Sequence, residues 1–240
     1  MAYPVNLAQL ITRVLQRTNL EGYYGAESFI TPGEMADAIN ASIADWYDMI
    51  RLTTFGGQYY RSSAPINPPT GLTIPQQQIY SLPPDFLSML SVDVYLSTTW
   101  KLKARPYQEE DSAMFSGPNI PAGWSYNTPV RYQLQGANIA FLPIPSGAYN
   151  VTLNYTPVAP QLSLNGGQID SVNSWDEWIV LDAAAKMLLK DGQLDTRQAI
   201  LAERAAQRQR IEGAAGERDQ GGAEVVHDVV GRGGWSGSCY

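Results

Sequence analysis

The hydrophobic repeat of this 240-residue chain changes twice, and the two changes leave few architectures open. Up to about residue 52 the apolar side chains recur every three or four positions. From about Thr53 to Asn165 they alternate, and from Ser174 the longer spacing returns. A repeat of 3.6 builds one face of a helix and a repeat of two builds one face of a strand, so helices are expected at both ends with strands between them.

The helix starts are written in the sequence. Asn6 followed by Gln9 can cap a helix that carries Leu7, Leu10, Ile11, Val14 and Leu15 on one side for about three turns and ends at Asn19 and Gly22. Thr31-Pro32-Gly33-Glu34 supplies a capping threonine, a proline at the first helical position and an acid at the capping-box position. Met35, Ile39, Ile43, Trp46 and Ile50 then form a core stripe that stops before Gly56-Gly57, with Asp37, Asp45 and Asp48 on other faces. Ser174-Trp175-Asp176-Glu177 reads as a second capping box. After it, Trp175, Trp178, Ile179, Leu181, Ala185, Leu188 and Leu189 make a broad apolar surface, with Asp182, Lys186 and Lys190 as a single polar line. A helix wet along one line is buried or packed against other subunits. Gly192 interrupts it, and an alanine- and arginine-rich helix over 195–218 follows, with Arg208 and Glu212 four residues apart.

Between the helices, Val92, Val94 and Leu96 alternate with Asp93 and Tyr95; Val130, Tyr132 and Leu134 alternate with Arg131, Gln133 and Gln135; Tyr149, Val151, Leu153 and Tyr155 alternate with Asn150, Thr152 and Asn154. Each run can bury one face and wet the other. Gln135-Gly136-Ala137-Asn138 joins a hairpin whose second strand carries Ile139 and Phe141 and ends at Pro143 and Pro145. Pro106 to Asp111 suits a short helix. The expected fold is therefore α+β: a helical bundle from the N- and C-terminal helices (1–52 and 170–218), an inserted antiparallel β-rich domain (53–169), and an extended tail (219–240) that orders on a partner. The tail surrounds Val225, Val226, His227, Val229 and Val230 with glycines and places Trp235 beyond them, too little to hold a core alone.

Chemistry is scarce. One histidine, His227, and one cysteine, Cys239, both in the tail, make neither a preorganised nucleophile and base nor a zinc site, and no disulfide framework is possible. No cofactor is expected. Glu109, Glu110 and Asp111, or Asp176 and Glu177, could be a glycosidase's carboxylate pair, and Trp100, Trp124 and Tyr126 could hold a sugar; helix starts, core and interface anchors are the plainer readings. Glycine doublets at 56, 166, 221 and 233 lack a phosphate-loop pattern. Sixteen Lys and Arg against 23 Asp and Glu give a net charge of -7, which argues against a broad grip on nucleic acid, and the arginines at 197, 204, 208, 210 and 218 are interleaved with acids. No apolar run is long enough for a membrane span, and no leader is visible at Met1-Ala2-Tyr3-Pro4, so a protein made in the cytoplasm without membrane attachment is expected.

Tyr80-Ser81-Leu82-Pro83-Pro84-Asp85-Phe86, leading into the strand at Val92, resembles the "Y-x-LP-x-DF" segment of phage head-to-tail adaptor proteins, tail tubular protein A-like ones included. Pro129-Val130-Arg131-Tyr132, Gly136, Ile139, Phe141 to Pro145 and the run Tyr149, Val151, Leu153, Tyr155 are similar to their hairpin, as are Trp175 to Trp178 and the alanine-rich stretch to Arg218-Asp219. The terminal Gly231 to Tyr240 matches no shared pattern. The resemblance implies a structural, non-enzymatic ring in the virion, commonly a homododecamer, beneath the portal protein. It would join nozzle or fibre proteins and let DNA pass through its lumen without specific binding. On that expectation Val225, Val226, His227, Val229, Val230 and Trp235 bind the portal, and Trp175, Trp178, Arg204 and Arg208 lie between subunits. A β-sandwich carbohydrate-binding or glycan-cleaving tail protein is the alternative from another class, and a scaffold or minor capsid protein is a third.

Overall fold

The computed structural model describes residues 3–53, 60–67, 70–109, 124, 129–171 and 174–218. Helix α1 spans Leu7–Thr18, α2 Pro32–Thr53, α3 Glu177–Asp191 and α4 Leu194–Arg218. The strands are β1 Tyr3–Asn6, β2 Ser62–Pro65, β3 Ile79–Ser81, β4 Phe86–Tyr95, β5 Lys101–Pro106, β6 Arg131–Gln135, β7 Asn138–Leu142, β8 Asn150–Pro157 and β9 Gln168–Ser171.

The N-terminal caps form as their residues dictate. The Gln9 N–H donates to Asn6 Oδ1 at 2.9 Å while the Asn6 N–H donates to Gln9 Oε1 at 3.0 Å, satisfying two otherwise orphaned groups. Asn19 closes α1 in the left-handed region, with φ of 55°. Glu34 N–H donates to Thr31 Oγ1 at 3.3 Å to open α2. Along α2 every member of the stripe Met35, Ile39, Ile43, Trp46 and Ile50 is fully buried, each contributing about 1.5–3 kcal/mol by its removal from water. The stripe meets Leu7, Leu10 and Val14 of α1, Trp178, Ile179, Leu181 and Leu188 of α3, and Ile200 and Ile211 of α4 in one cluster.

Two details of α3 differ from expectation. Ser174 does not cap it: Ser174 sits at φ of 59°, Asp176 occupies the N-cap position without a side-chain cap bond, and Glu177 turns away to Arg13 and Arg17, at 2.5 Å from each. Charge-assisted bonds to two guanidinium groups outweigh the neutral bond a capping box would offer. The polar line is wet only in part, with Lys190 exposed and Lys186 half-buried. Asp182 is buried and pairs with Arg204 of α4 and with Lys186 at 2.8 Å, Lys186 reaches Asp45 at 3.1 Å, and Lys190 reaches Glu34 at 2.7 Å and the Phe29 carbonyl at 2.6 Å. The line on α3 is thus a seam to α2 and α4.

Seven strands join in the order β2-β8-β4-β5-β6-β7-β3, and β1 pairs with β9 as a separate two-stranded ladder. The hairpin between β6 and β7 turns on Gly136-Ala137, with Gln135 opposite Asn138 and Gly136 at φ of 59°, the sign a two-residue hairpin loop needs at its first position. Val92, Val94, Val151, Leu153, Tyr155, Ile139 and Phe141 fill a second core, distinct from the helical one. The other face of β4 and β8 is not simply wet: Asp93, Asn154 and Thr156 are buried, with Asn154 Nδ2 donating to Asp93 Oδ2 at 2.8 Å and Lys101 Nζ 3.0 Å from the same oxygen. Pro106 ends β5 and does not begin a helix; the short helix expected up to Asp111 otherwise lies largely outside the described residues.

The α+β class holds, but the expected helical bundle with an inserted antiparallel domain is corrected. The described residues form four α-helices and a seven-stranded sheet that is mixed, because β5 and β6 run parallel, Arg105 beside Arg131 and Pro106 beside Tyr132. Nor do helices alone seal the helical core. Val5 of β1, Ile169 of β9 and Leu162 are part of it, and Asn40 of α2 clamps Leu162 through both its N–H, at 2.8 Å, and its carbonyl, at 3.0 Å. Leu162 and Ile169, which the alternating repeat assigned to the β region, and Val5, which precedes the first helix, thus belong to the helical core.

Candidate interaction surfaces

No catalytic centre assembles from the candidate residues that the structure describes. His227 and Cys239 lie outside the described residues, and no group of three or more His, Cys, Asp or Glu among the described residues could hold a metal ion. Asp176 is buried against Arg13, and both oxygens of Glu177 are taken by Arg13 and Arg17, so this pair ties α3 to α1. Glu109 is exposed, while Glu110 and Asp111 lie outside the described residues. Trp124 is a core residue: its Nε1 donates to the Pro143 carbonyl at 2.7 Å, and its ring stacks on Tyr149 with centroids 5.1 Å apart. Trp100 is exposed and Tyr126 is outside the described residues. Gly166 closes a turn through hydrogen bonds with Ser163 rather than a phosphate cradle.

The residues expected between subunits are engaged within the chain. Trp175 and Trp178 are only 2% and 6% exposed in the helical core. Arg204 lies over the Trp178 ring at 5.7 Å and pairs with the buried Asp182, and Arg208 pairs with Glu212 at 2.6 Å. Burial raises the Asp182 carboxyl, but hydrogen bonds from Lys186, Ser42 and Arg204 and the Lys186 charge outweigh it and hold the group below its ordinary range. Val225, Val226, His227, Val229, Val230 and Trp235 all fall outside the described residues.

Three surfaces remain. Two open clefts of about 490 Å³ flank the β1 and β9 ladder, one lined by Pro4, Val5, Gln9, Thr12 and Arg13, the other by Asn6 to Ala8 with Ser163 to Gln168. Pro4 has no N–H to offer an added strand. At the β3 end of the sheet, Ile74, Ile79 and Ile144 are exposed, Ile79 at 46%.

The third surface is charged. Lys101, Lys103 and Arg105 occupy alternate positions of β5 and are exposed, while Ala104 between them is buried. Alternate residues of a strand share a face, and cross-strand neighbours share it too. Lys103 is opposite Asp93, and Arg105 is beside Arg131 of β6. Lys101 takes the Asp93 carboxylate and also lies 5.6 Å from the Tyr95 ring. Among the described residues neither Lys103 nor Arg105 has an ion-pair partner. The sequence reading did not single these four out. Lys-x-Lys-x-Arg at 101–105 was a legible signal on an alternating segment; the approach of Arg131 was not, since it depends on a parallel pairing across 26 residues.

A helical layer closed by internal ion pairs and a mixed sheet with one basic face and exposed isoleucines at its β3 end are the surfaces that the described residues present. No curated protein gives a significant match to the chain. The family model described as SU10 adaptor protein matches residues 5–230, nearly the whole length and all of the described elements but the ends of β1. The chain therefore belongs to the SU10 adaptor protein family, a family of phage adaptors.

Proposed function

We propose that this protein is a non-enzymatic head-to-tail adaptor: a ring beneath the portal protein that joins the DNA-filled head to the tail and lets DNA pass. The observation that carries this reading is the length of the family match, which spans helices, sheet and the first part of the tail. Residues 1–52 and 170–218 supply the contacts between copies, with twelve the expected count; residues 53–169 meet nozzle or fibre proteins; residues 219–240 order on the portal. The exposed Ile74, Ile79 and Ile144 support a sheet that meets another protein, because large apolar side chains gain by being covered. Trp175 and Trp178 act as backing for the copy-to-copy contact, and Arg204 and Arg208 stand at its surface. The match includes Val225, Val226, His227, Val229 and Val230 and stops short of Trp235, so the valine cluster is the stronger part of the proposed portal contact.

Truncation after Asp219 tests the reading. The shortened protein is expected to fold with unchanged helical content and to lose its attachment to purified portals in negative-stain images. Normal attachment of that variant would remove the tail's role. Glycan binding by the intact protein, or turnover of a glycan lost in Glu109→Gln, would replace the adaptor reading with the carbohydrate one.

A further inference from the structure

We infer that the β5 and β6 face carrying Lys101, Lys103, Arg105 and Arg131 is a contact site for the phosphate backbone of duplex DNA, independent of base sequence. The biological setting of this site rests on the reading of the protein as a conduit for DNA; the geometry of the site does not.

Four observations lead there. The chain has 16 Lys and Arg, yet between residues 62 and 185 the only four are these, and all four lie on two neighbouring strands. Chance and solubility would scatter them. Second, the cations are concentrated rather than dispersed: Arg105 and Arg131 are partners in the parallel ladder, which sets two like charges side by side on one face. Among the described residues the carboxylate on this part of the face, Asp93, is only 4% exposed and is already engaged by Lys101 and Asn154, and neither Lys103 nor Arg105 has an ion-pair partner among them. Glu109 follows beyond the end of β5, off the strand.

Third, the spacing is regular. Residues two apart on a strand are separated by about 6.6–6.8 Å, so Lys101, Lys103 and Arg105 form a straight row of about 13 Å, a length over which one DNA strand presents about four phosphates. Fourth, the neighbours on the row's own face are Gln133 and Gln135 of β6, the buried Asp93 of β4 and the half-buried Tyr95, which lies against Lys101, without a large exposed apolar side chain on β5. Protein interfaces centre on apolar and aromatic residues and are depleted in lysine, whereas backbone contacts to DNA come from Lys, Arg, Asn and Gln. The chemistry therefore favours phosphate over an acidic protein. A net charge of -7 keeps such a contact weak and dependent on salt, which suits a duplex that must move past it.

The test is binding of the full-length protein to a random-sequence duplex, followed by fluorescence anisotropy over a series of salt concentrations. With three to four phosphates neutralised, log affinity is expected to fall against log salt with a slope of about -3. The double variant Lys103→Gln, Arg105→Gln is expected to lose about two units of that slope, while Arg197→Gln, Arg210→Gln on α4 leaves it unchanged. Absence of salt-dependent binding by the wild type, or an unaltered slope in the β5 variant whose circular dichroism is intact, would overturn the proposal. So would equal affinity for a poly-glutamate chain of matched charge, which would reassign the face to an acidic protein. Portal attachment, imaged in parallel, separates the two readings: DNA binding without attachment leaves this site standing and removes the adaptor role, and attachment without DNA binding does the reverse.

Discussion

The helical layer and the sheet solve the same packing problem with opposite uses of charge. In the helical layer the cations face inward to partners from distant parts of the chain: Arg13 to Asp176 and Glu177, Lys186 to Asp45, Lys190 to Glu34, Arg204 to Asp182. In the sheet Lys101 does so, whereas Lys103 and Arg105 of the same outward-facing row have no ion-pair partner among the described residues. The first region uses charge to fix how helices meet; the second holds charge that its own fold does not consume. Unspent charge of this kind is a better pointer to a partner than total charge, which for this chain is acidic and pointed away from DNA.

The comparison can be broken most severely at the core. Trp46→Ala empties a fully buried indole site in the helical cluster and is expected to cost about 3–5 kcal/mol in urea unfolding. Because Val92, Val151 and Phe141 belong to a separate cluster, amide protons of β4 and β8 should keep more of their exchange protection than those of α2 and α3 in this variant. Equal loss throughout would mean that the two cores unfold as one unit.

A smaller effect sharpens the electrostatic half. Asp182→Ala strands Arg204 and Lys186, but both are about one-third exposed and can rehydrate, so a loss of about 2 kcal/mol is expected rather than the larger penalty of a sealed pair. The sign of the pH dependence follows. Asp182 is held below its ordinary value in the folded state, so the unfolded chain takes up its proton first. The stabilisation is complete at neutral pH, begins to fail as the pH falls below about 4, and is lost once the pH has passed the lower folded-state value. Urea midpoints measured across that range should fall more steeply for the wild type than for Asp182→Asn. Smallest of all, Gly136→Ala in the sheet hairpin and Gly192→Ala at the end of α3 should each cost about 1 kcal/mol, since both glycines have positive φ and open space where a Cβ would stand. A much larger loss at either would reveal a contact that the open space does not account for.

What the sequence made legible was local. Asn6 with Gln9, Thr31 with Glu34 and the glycine at 192 each act within one turn of a helix, and each behaved as its neighbours dictate. Ser174 with Glu177 has the same spelling and failed, because Arg13 and Arg17 arrive from about 160 residues away and take the glutamate. Polar letters at 93 and 154 read as outward-facing, yet Asp93 and Asn154 are buried, with Asn154 Nδ2 and Lys101 Nζ both engaging Asp93 Oδ2. The parallel contact of β5 with β6 had no local mark at all. For the charged face the divide is the same: the alternating cations of β5 were readable, and the fourth one came only with the sheet order.

The helical core draws its walls from both extremes of the described chain, and this has a consequence at the ribosome. Ile43 and Trp46 are synthesised early, but Ile179, Leu181 and Leu188, against which they come to rest, emerge some 140 residues later. Translation at about 5–20 residues per second leaves that greasy stripe without its counterpart for many seconds. A nascent chain of this protein is therefore a natural client for holding factors, and its sheet, whose strands emerge first as a set, has time to form before the ends of the molecule find each other.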